Sequence, residues 1–339
     1  MFMITIDGSY LEGGGQIVRT AVSLSAITKK PVKIINIRKN RKNPGLSNQH
    51  IACVAAVSKI CNAKVEGLIK GSETLVFYPG KIISKNFEID IKTAGSISLV
   101  IQSILPISLA IDKNVEITII GGTNVEFSPP IDYIKNITLK FLENIGINSE
   151  ITILKRGFFP KGGGIVKITI KPSKINPYEL IENENIEIKG IVFNQNLDEN
   201  ISKRIRKSAS DELLNRGFCP EIKLEKINGE SAGVGIFLYT NYIGSDRLGK
   251  KGLLSEAVGT TASEKLLEEL NTKMAIDSHL ADQIIPFMPF SDITIGVSKI
   301  TNHTLTNIYV VEKFFDVKFN IEKYEEKNAN GYIISTKGV

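Results

Sequence analysis

One histidine in the C-terminal part of the sequence has neighbours that suit phosphoryl chemistry. His303 follows an alternating apolar segment at 293–297 and a polar turn at 298–302, and apolar residues then recur at helical spacing over 304–315. This pattern predicts that His303 lies at or just before a helix N-terminus. The unpaired N–H groups and the positive dipole end there favour a neutral imidazole and an incoming anion. A phosphoryl-accepting nucleophile requires that environment, although a simple polar helix cap would show the same local pattern.

Two triple-glycine loops supply further candidate residues. The first, at 12–16, precedes a predicted helix, and the second, at 156–166, precedes a predicted strand. Consecutive glycines let a backbone approach a ligand closely, but tight turns between packed units need them equally. The second loop also carries Arg156 and Lys161, and both side chains are suited to binding phosphate.

Familiar signatures of other chemistries are absent or broken. Residues 244–251 have the spacing of a phosphate-binding P-loop but end in Lys251, where Ser or Thr should hold Mg²⁺, so we interpret the match as false. No dinucleotide fingerprint and no His-Glu-x-x-His motif occurs. The three cysteines show no metal-ligand spacing, and Cys53 and Cys61 are too far apart along one predicted helix to pair. We expect all three to be reduced.

Composition indicates an ordinary soluble globular protein of more than one domain. The chain has 339 residues, of which 42% are hydrophobic and 23% charged. The longest apolar run, 97–111, is interrupted and is shorter than the roughly 18 residues that a membrane helix needs, so it reads as a buried helix. Residues 1–15 lack the basic start and apolar stretch of a signal peptide. We expect a cytoplasmic protein without membrane contact.

Basic residues are concentrated in two places. Seven lie between Lys29 and Lys42 with no acidic residue among them, and a second cluster occupies 203–207, within a formal net charge of +6. Such clusters are often only solvated faces. Beside phosphate-type loops they favour a polyanionic partner, while the low aromatic content does not support base stacking.

The order of predicted elements repeats three times as β-α-β-α-β-β. The first copy has helices at 16–27 and 46–61 and strands at 31–38, 64–66 and 74–78. The second has helices at 97–110 and 130–145 and strands at 87–91, 115–120, 149–154 and 164–170. The third has helices at 280–287 and 304–315 and strands at 273–277, 292–297, 317–324 and 331–336. Each copy presents a sheet with two helices on one face, so three copies could bury their helices around a common core.

A polar entry and a different element order mark an insertion between the second and third copies. Strands at 186–193, 221–226 and 233–239 and helices at 199–216 and 254–270 suffice for a small α/β domain. We therefore predict an α/β protein of the α+β type, with repeats one and two at 1–181, the inserted domain at 182–272 and repeat three at 273–339.

Several stretches of the chain resemble those of a known family. The stretch at 156–166 is similar to the signature of the RNA 3'-terminal phosphate cyclases, and further similar stretches follow the family order at 7–16, 43–46, 279–283 and 303–307. The family fold consists of three repeats of a unit like the C-terminal domain of translation initiation factor three, plus an inserted domain of thioredoxin-like topology. That fold agrees with the repeats and insertion predicted above.

The resemblance implies a function as an ATP-dependent enzyme of the ligase class. It would convert an RNA 3'-phosphate to a 2',3'-cyclic phosphate through adenylylated His303, with Glu12 holding a divalent cation, Mg²⁺ or Mn²⁺. The implied ATP site comprises Gln102, His279, Leu280, Ala281, Asp282 and Gln283. The implied RNA-phosphate site comprises Arg19, Arg38, Arg41, Gln49 and His50. Asp282 could position ATP or orient His303, the expected partner is RNA with a 3'-phosphate, and no obligate protein partner is evident, with a homodimer left open.

Three other interpretations remain. A non-catalytic relative that binds RNA in ribosomal RNA maturation would keep the fold but lack the nucleophilic histidine, whereas His303 is present. A pure RNA-binding scaffold would explain the basic stretch at 29–42 but not the residues of the implied ATP site. An enzyme of the enolpyruvyl transferase type, built on similar repeats, would need no ATP-derived covalent intermediate.

Overall fold

A computed structural model describes residues 2–184, 186–326 and 328–338, and three similar units account for most of them. The first unit contains β1 (Ile4–Asp7), α1 (Gln16–Thr28), β2 (Val32–Ile35), α2 (Asn48–Cys61), β3 (Lys64–Glu66) and β4 (Leu75–Tyr78). The second contains β5 (Phe87–Asp90), α3 (Ile97–Ile104), β6 (Val115–Gly121), α4 (Ile131–Tyr133), α5 (Leu139–Asn144), β7 (Ser149–Lys155) and β8 (Gly164–Ile170). A 3-10 turn, Leu105–Leu109, extends α3, and a π-helical turn, Ile134–Thr138, joins α4 to α5.

The third unit is divided by the insertion. Its elements are β9 (Tyr178–Leu180), α8 (Ser278–Ile284), β14 (Ile293–Val297), α9 (Asn302–Phe314), β15 (Asn320–Glu326) and β16 (Ala329–Thr336). The inserted segment contains β10 (Lys189–Gln195), α6 (Glu199–Asn215), β11 (Glu221–Ile227), β12 (Gly233–Thr240), β13 (Ile243–Leu248) and α7 (Ser255–Asn271).

All three units share one sheet topology. The strand orders are β1-β2-β4-β3, β5-β6-β8-β7 and β9-β14-β16-β15. In each sheet the first two strands are parallel and the remaining neighbours are antiparallel. A parallel pair requires a crossover connection, which α1 and α3 supply in the first two units. The predicted α+β class is confirmed.

One strand prediction was wrong. Residues 273–277, expected to form the first strand of the third copy, make only isolated bridges at Met274 and Ile276. The strand that lies parallel to β14 is β9, which precedes the insertion in sequence. The insertion therefore interrupts the third unit between its first strand and its first helix. Because β9 is three residues long, its pattern was too short to be recognised from the sequence.

The helices of the units form a common core. Helix α1 packs on α2, α3 and α9, and the buried side chains of the three units form one continuous apolar cluster. Strand β6 shows how the sheets contribute, since its residues alternate between buried and half-buried and it turns Val115, Ile117 and Ile119 inward. The site described below lies where these central helices meet.

The inserted segment has its own sheet, with strand order β11-β10-β12-β13 and both long helices packed together. Apolar residues between α6, α7 and the sheet form a second core cluster. From the other face of the sheet, Phe237 contacts Tyr133 of α4, with ring centroids 6.1 Å apart. The P-loop-like stretch lies partly within β13, and α7 begins only at Ser255, so its interpretation as a false match is confirmed.

The glycine loop at 156–166 fixes the insertion to the second unit. Arg156 is almost fully buried and makes two-pronged ion pairs with Asp132 of α4 (2.6 and 2.8 Å) and Glu225 of β11 (2.9 and 2.7 Å). Burial alone would lower the pKa of Arg156, but these hydrogen-bonded carboxylates raise it above its ordinary value. The expectation that Arg156 suits phosphate binding is therefore wrong, because its donors are already occupied.

Two further expectations can be compared with the structure. Cys53 and Cys61 are buried and Cys219 is exposed, and none of the three forms a disulfide. Among residues 2–184, 186–326 and 328–338, no helix combines the length and the apolarity that crossing a bilayer demands.

Replacing Arg156 tests this buried network. Arg156→Met keeps the side-chain stem but leaves the carboxylate of Asp132 buried without its partner, which typically costs about 3–5 kcal/mol. We expect a loss of that size in the free energy of unfolding measured by urea denaturation. Arg204→Met is the matched control, since Arg204 makes the same two-pronged pair with Glu256 on the surface, where solvent screens the pair and its contribution to stability is small. Equal losses in the two variants would contradict a stabilising role for the buried network.

Candidate active site

His303 is the second residue of α9. The helix starts after Thr301, whose side-chain oxygen accepts a hydrogen bond from the Thr304 N–H at 3.1 Å. Thr306 Oγ1 donates to the Asn302 carbonyl at 2.6 Å and reinforces the same turn. The predicted position of His303 at a helix N-terminus is confirmed, and its side chain keeps 47% of its surface exposed.

Two carboxylates flank the imidazole of His303. Nδ1 lies 3.2 Å from Asp282 Oδ2, and Nε2 forms an ion pair with Glu12 Oε1. The hydrogen bond to Asp282 is the main reason that the pKa of His303 is raised, with further contributions from the charges of Asp282 and Glu12. Partial burial and Arg19 oppose the shift but do not cancel it. The two carboxylates therefore favour the charged imidazole, which is opposite to the effect expected from the helix terminus.

Asn307 holds the helices that carry these groups. Its side-chain oxygen accepts a hydrogen bond from Thr20 Oγ1 of α1 at 2.9 Å, and its amide donates to the Asp282 carbonyl at 2.7 Å. One buried side chain of α9 thus joins α1 to α8, one turn away from His303. Sequence reasoning included Asn307 in a motif but gave it no role, and it did not identify Thr20. The only available signal was that both are polar residues in otherwise apolar helices.

Arg19 and Arg38 provide positive charge around a third candidate, His50. Burial lowers the pKa of Arg19, and Asp282 partly opposes this. Within the described chain the Arg19 guanidinium forms no hydrogen bond or close ion pair. Arg38 is half-buried and donates from Nη1 to the Gly45 carbonyl at 2.9 Å. Both charges act on His50, so an anion entering here would meet unneutralised guanidinium groups.

His50 is fixed in its neutral form. Burial, followed by the charges of Arg19 and Arg38, lowers its pKa to about 3. Its Nδ1 accepts the Ser47 N–H at 3.0 Å, which leaves the proton on Nε2. Nε2 lies against Gly15, where an added Cβ would be 2.1 Å away. Gly15 is therefore required because any side chain at this position would collide with His50. This glycine serves tight packing rather than close approach to a ligand.

The stretch at 279–283 forms most of α8 and is fixed at its start by Asp277. The buried carboxylate of Asp277 accepts hydrogen bonds from the His279, Leu280 and Gly244 N–H groups at 2.7–2.9 Å and from Tyr133 Oη at 2.6 Å. Burial raises the pKa of Asp277 to about 6. Gly244 belongs to β13, so the inserted segment contacts the N-terminus of α8 directly.

The side chains of α8 are not equally available to a ligand. Leu280 and Ala281 are completely buried in the apolar core, and the Gln283 amide is engaged with Thr138 and with the His279 carbonyl. His279 is exposed and Asp282 half-buried, so these two are the members that can meet a nucleotide through their side chains. The assignment of this stretch to an ATP site stays a prediction.

Three of the remaining candidates occupy different positions relative to His303. Arg41 is exposed, and its Nη2 lies 3.7 Å from Glu12 Oε2, which places it beside the imidazole. Gln49 uses its side-chain oxygen to accept the Ser96 N–H at the start of α3, at 2.9 Å. Gln102 is half-buried on α3, and within the described residues no hydrogen bond links it to the other candidates.

The donor set around His303 limits how a metal could be held. Among the described residues no group of three His, Cys, Asp or Glu side chains is arranged to bind a metal ion. Mg²⁺ is usually held by one or two carboxylates together with substrate phosphates rather than by an all-protein cage. Glu12 fits that mode, because its carboxylate is half-buried and faces the imidazole.

The raised pKa of His303 can be measured directly by NMR. We expect the ring C–H signal of His303 to titrate above the ordinary histidine value of 6.5, and Asp282→Asn to lower that midpoint by removing the main cause of the shift. Because the pKa of His303 is higher in the fold than in the unfolded chain, His303 stabilises the fold fully below pH 6.5. This contribution is lost as pH rises through the pKa of the folded state. His279→Gln removes one of the three histidine signals and completes the assignment. A midpoint at or below 6.5 in the wild type would show that the carboxylates do not control the imidazole.

The neutral state of His50 predicts acid sensitivity. Since its pKa is near 3 in the fold and near 6.5 when unfolded, the unfolded chain binds an extra proton as pH falls below 6.5. As pH falls from 6.5 toward 3, His50 should lower the free energy of unfolding by up to about 1.4 kcal/mol per pH unit. Urea denaturation at pH 7 and pH 5 should show a smaller pH dependence for His50→Gln than for wild type. An unchanged dependence would mean that His50 is protonated in the fold.

Comparison with known proteins identifies the family of this chain. The family model of the RNA 3'-terminal phosphate cyclases matches residues 10–321. A Pyrococcus furiosus protein with that name is 47% identical over 327 residues, covering 94% of this chain and 95% of the relative. Namesakes from Archaeoglobus fulgidus (44% over 327 residues; 95% and 99% covered) and Methanosarcina acetivorans (43% over 347 residues; 95% and 98% covered) are similar throughout. The chain belongs to the RNA 3'-terminal phosphate cyclase family.

Proposed function

We propose that this protein is an ATP-dependent RNA 3'-phosphate cyclase that works through a covalent histidine–AMP intermediate. The observation that carries the proposal is the geometry of His303. Its Nδ1 is held by Asp282, so its Nε2 faces Glu12 in a surrounding that includes the unpaired guanidinium of Arg19. An imidazole oriented through one nitrogen presents the other to a reactant, which is the arrangement of an activated nucleophile.

In the first step, His303 Nε2 attacks the α-phosphorus of ATP. A P–N bond forms, the bond from that phosphorus to the β-phosphate oxygen breaks, and pyrophosphate leaves. The half-exposed imidazole must first lose its Nε2 proton to solvent water, and Asp282 keeps the remaining proton on Nδ1 and stabilises the cationic ring in the product. Asp282 therefore orients His303 in this proposal, rather than positioning ATP.

Glu12 has two roles at different stages. Before ATP binds, it pairs with His303 and raises the pKa of the imidazole together with Asp282. Glu12 would be the carboxylate to hold a divalent cation, and the cation would neutralise phosphate charge on ATP. Glu12 stabilises the protonated imidazole while it contacts the ring, so the imidazole would lose its Nε2 proton more readily if Glu12 bound a cation instead.

The next steps use the RNA end. An oxygen of the 3'-phosphate attacks the adenylyl phosphorus, breaks the P–N bond to His303 and forms a phosphoanhydride between RNA and AMP. The neighbouring 2'-OH then attacks the RNA phosphorus, loses its proton and expels AMP, closing the 2',3'-cyclic phosphate. Arg19, Arg38 and Arg41 would neutralise the phosphates. The last step is intramolecular, and such proximity can lower a barrier by on the order of 7–11 kcal/mol.

The covalent intermediate gives the decisive experiment. With ATP labelled in the α-phosphate, a divalent cation and no RNA, the wild-type protein should acquire label that is acid-labile, as a phosphoramidate is. His303→Asn should acquire none. Asn302→Ala is the matched control, because Asn302 is exposed in the same helical turn and should leave labelling unchanged.

Adding an RNA with a 3'-phosphate should discharge the label, whereas a 3'-hydroxyl end should not. Wild-type protein that binds RNA but takes no label would overturn the enzyme proposal in favour of an RNA-binding scaffold. Equal labelling of His303→Asn would keep the reaction but assign it to a different nucleophile.

A further inference from the structure

The loop between β2 and α2 carries exposed positive charge next to the site. Lys39, Arg41 and Lys42 are all exposed, and no acidic residue occurs in the sequence between Glu12 and Glu66. Such a long stretch without acidic residues leaves the local field positive.

Three contacts place this loop against residues 7–12. The Asn36 amide donates to Asp7 Oδ1 at 3.2 Å, the Asn40 amide reaches the Ser9 carbonyl at 3.5 Å, and Arg41 pairs with Glu12 at 3.7 Å. Because Glu12 contacts His303, the neighbouring lysines of the loop lie at the edge of the catalytic site.

Lys39 and Lys42 differ from the other basic cluster in the sequence. At 203–207, Lys203, Arg204 and Lys207 are paired with Glu199, Glu256 and Asp211. In the described part of the chain, Lys39 and Lys42 form no side-chain hydrogen bond or ion pair. Their charges therefore remain available to an anionic partner.

Apolar surface lies on the same side of the site. Tyr10 stacks on Tyr309 with ring centroids 4.0 Å apart and still keeps 39% of its surface exposed. The next residue, Leu11, is 45% exposed and has a φ of +51°, a conformation that leucine rarely adopts. This turn holds Leu11 away from the core, so its side chain adds apolar surface beside Tyr10.

We propose that single-stranded RNA upstream of the 3'-end crosses an exit face formed by Tyr10, Leu11, Lys39 and Lys42. This inference rests on the proposed function, since it concerns the same RNA. Lys39 and Lys42 bind backbone phosphates, and a base stacks on Tyr10 and Leu11. A positive track with an aromatic platform is the usual means of binding single strands without reading their sequence. The enzyme accordingly accepts many RNA ends but requires an unpaired segment before the terminal phosphate.

The charge part of the proposal can be tested by discharge of the adenylylated protein. Wild type should be discharged faster by a 3'-phosphorylated single strand of about ten nucleotides than by a 3'-phosphorylated dinucleotide, because only the longer strand spans the exit face. Lys39→Gln/Lys42→Gln should lose most of this advantage. For the double variant, the slope of the logarithm of discharge by the longer strand against the logarithm of salt concentration should be shallower by about 1.4. Each lost phosphate contact on a single strand reduces this slope by about 0.7. Charging by ATP alone should be unchanged.

The control removes the same charge elsewhere. Lys29 and Lys85 are exposed near the C-terminal ends of α1 and α2, roughly 20 Å along these helices from the site. Lys29→Gln/Lys85→Gln should keep the preference for the longer strand and its salt dependence. If the two double variants lose the preference for the longer strand to the same extent, the loss reflects net charge alone, and the proposed exit face is ruled out.

Stacking is tested with a longer strand whose upstream nucleotides lack bases. Tyr10→Ala should reduce discharge by the normal strand about tenfold, to the level of the abasic strand, whereas Tyr10→Phe should behave as wild type. If Tyr10→Ala slowed discharge by the abasic strand by the same factor as discharge by the normal strand, a stacked base would be excluded. If the wild type is not charged by ATP, the proposed function fails. The exit face is then judged by equilibrium binding of the same 3'-phosphorylated strands to the same variants, where the same differences are expected.

Discussion

The site depends on one imidazole held between two carboxylates that come from different parts of the chain. Glu12 lies in the loop before α1, Asp282 lies in α8 and His303 begins α9. A shift of any of these elements by one helical turn would separate the three side chains. Asn307 prevents such a displacement, because a single side chain bonds α1 and α8 from within α9. The packing of these three helices therefore also fixes the geometry of the candidate site.

The charge state of His303 follows from this arrangement and not from its position in a helix. A helix N-terminus favours the neutral imidazole, but its effect is worth typically 0.3–1 kcal/mol at the surface. Two carboxylates in contact with the ring outweigh it and raise the pKa. The two carboxylates thus favour the protonated imidazole, and one of them, Glu12, is also the carboxylate that suits a metal. The pKa of His50 is shifted in the opposite direction, to about 3, so the surroundings of the two imidazoles act on their charge in opposite ways.

The sequence was sufficient for the repeated units, the insertion and the position of His303, because those depend on local periodicity and on turn residues. It failed where an outcome depends on long-range contacts. Arg156 looked suited to phosphate, yet two carboxylates from separate elements occupy its donors. Leu280 and Ala281 belong to a motif but point into the core, which the letters alone do not reveal. The first strand of the third unit was assigned to the wrong side of the insertion for the same reason.

The placement of β9 before the insertion has a consequence for how the chain folds. Leu180 pairs with Ile295, and the segment between them contains the whole inserted sheet and its helices. Closing so long a loop costs conformational entropy before any contact rewards it. The inserted segment removes that cost once it folds, since its two ends meet in the bridge between Glu182 and Met274. During synthesis, β9 therefore stays without its partner until the insertion and β14 have been made. Folding of the insertion brings Glu182 and Met274 together and so shortens the loop that separates β9 from β14.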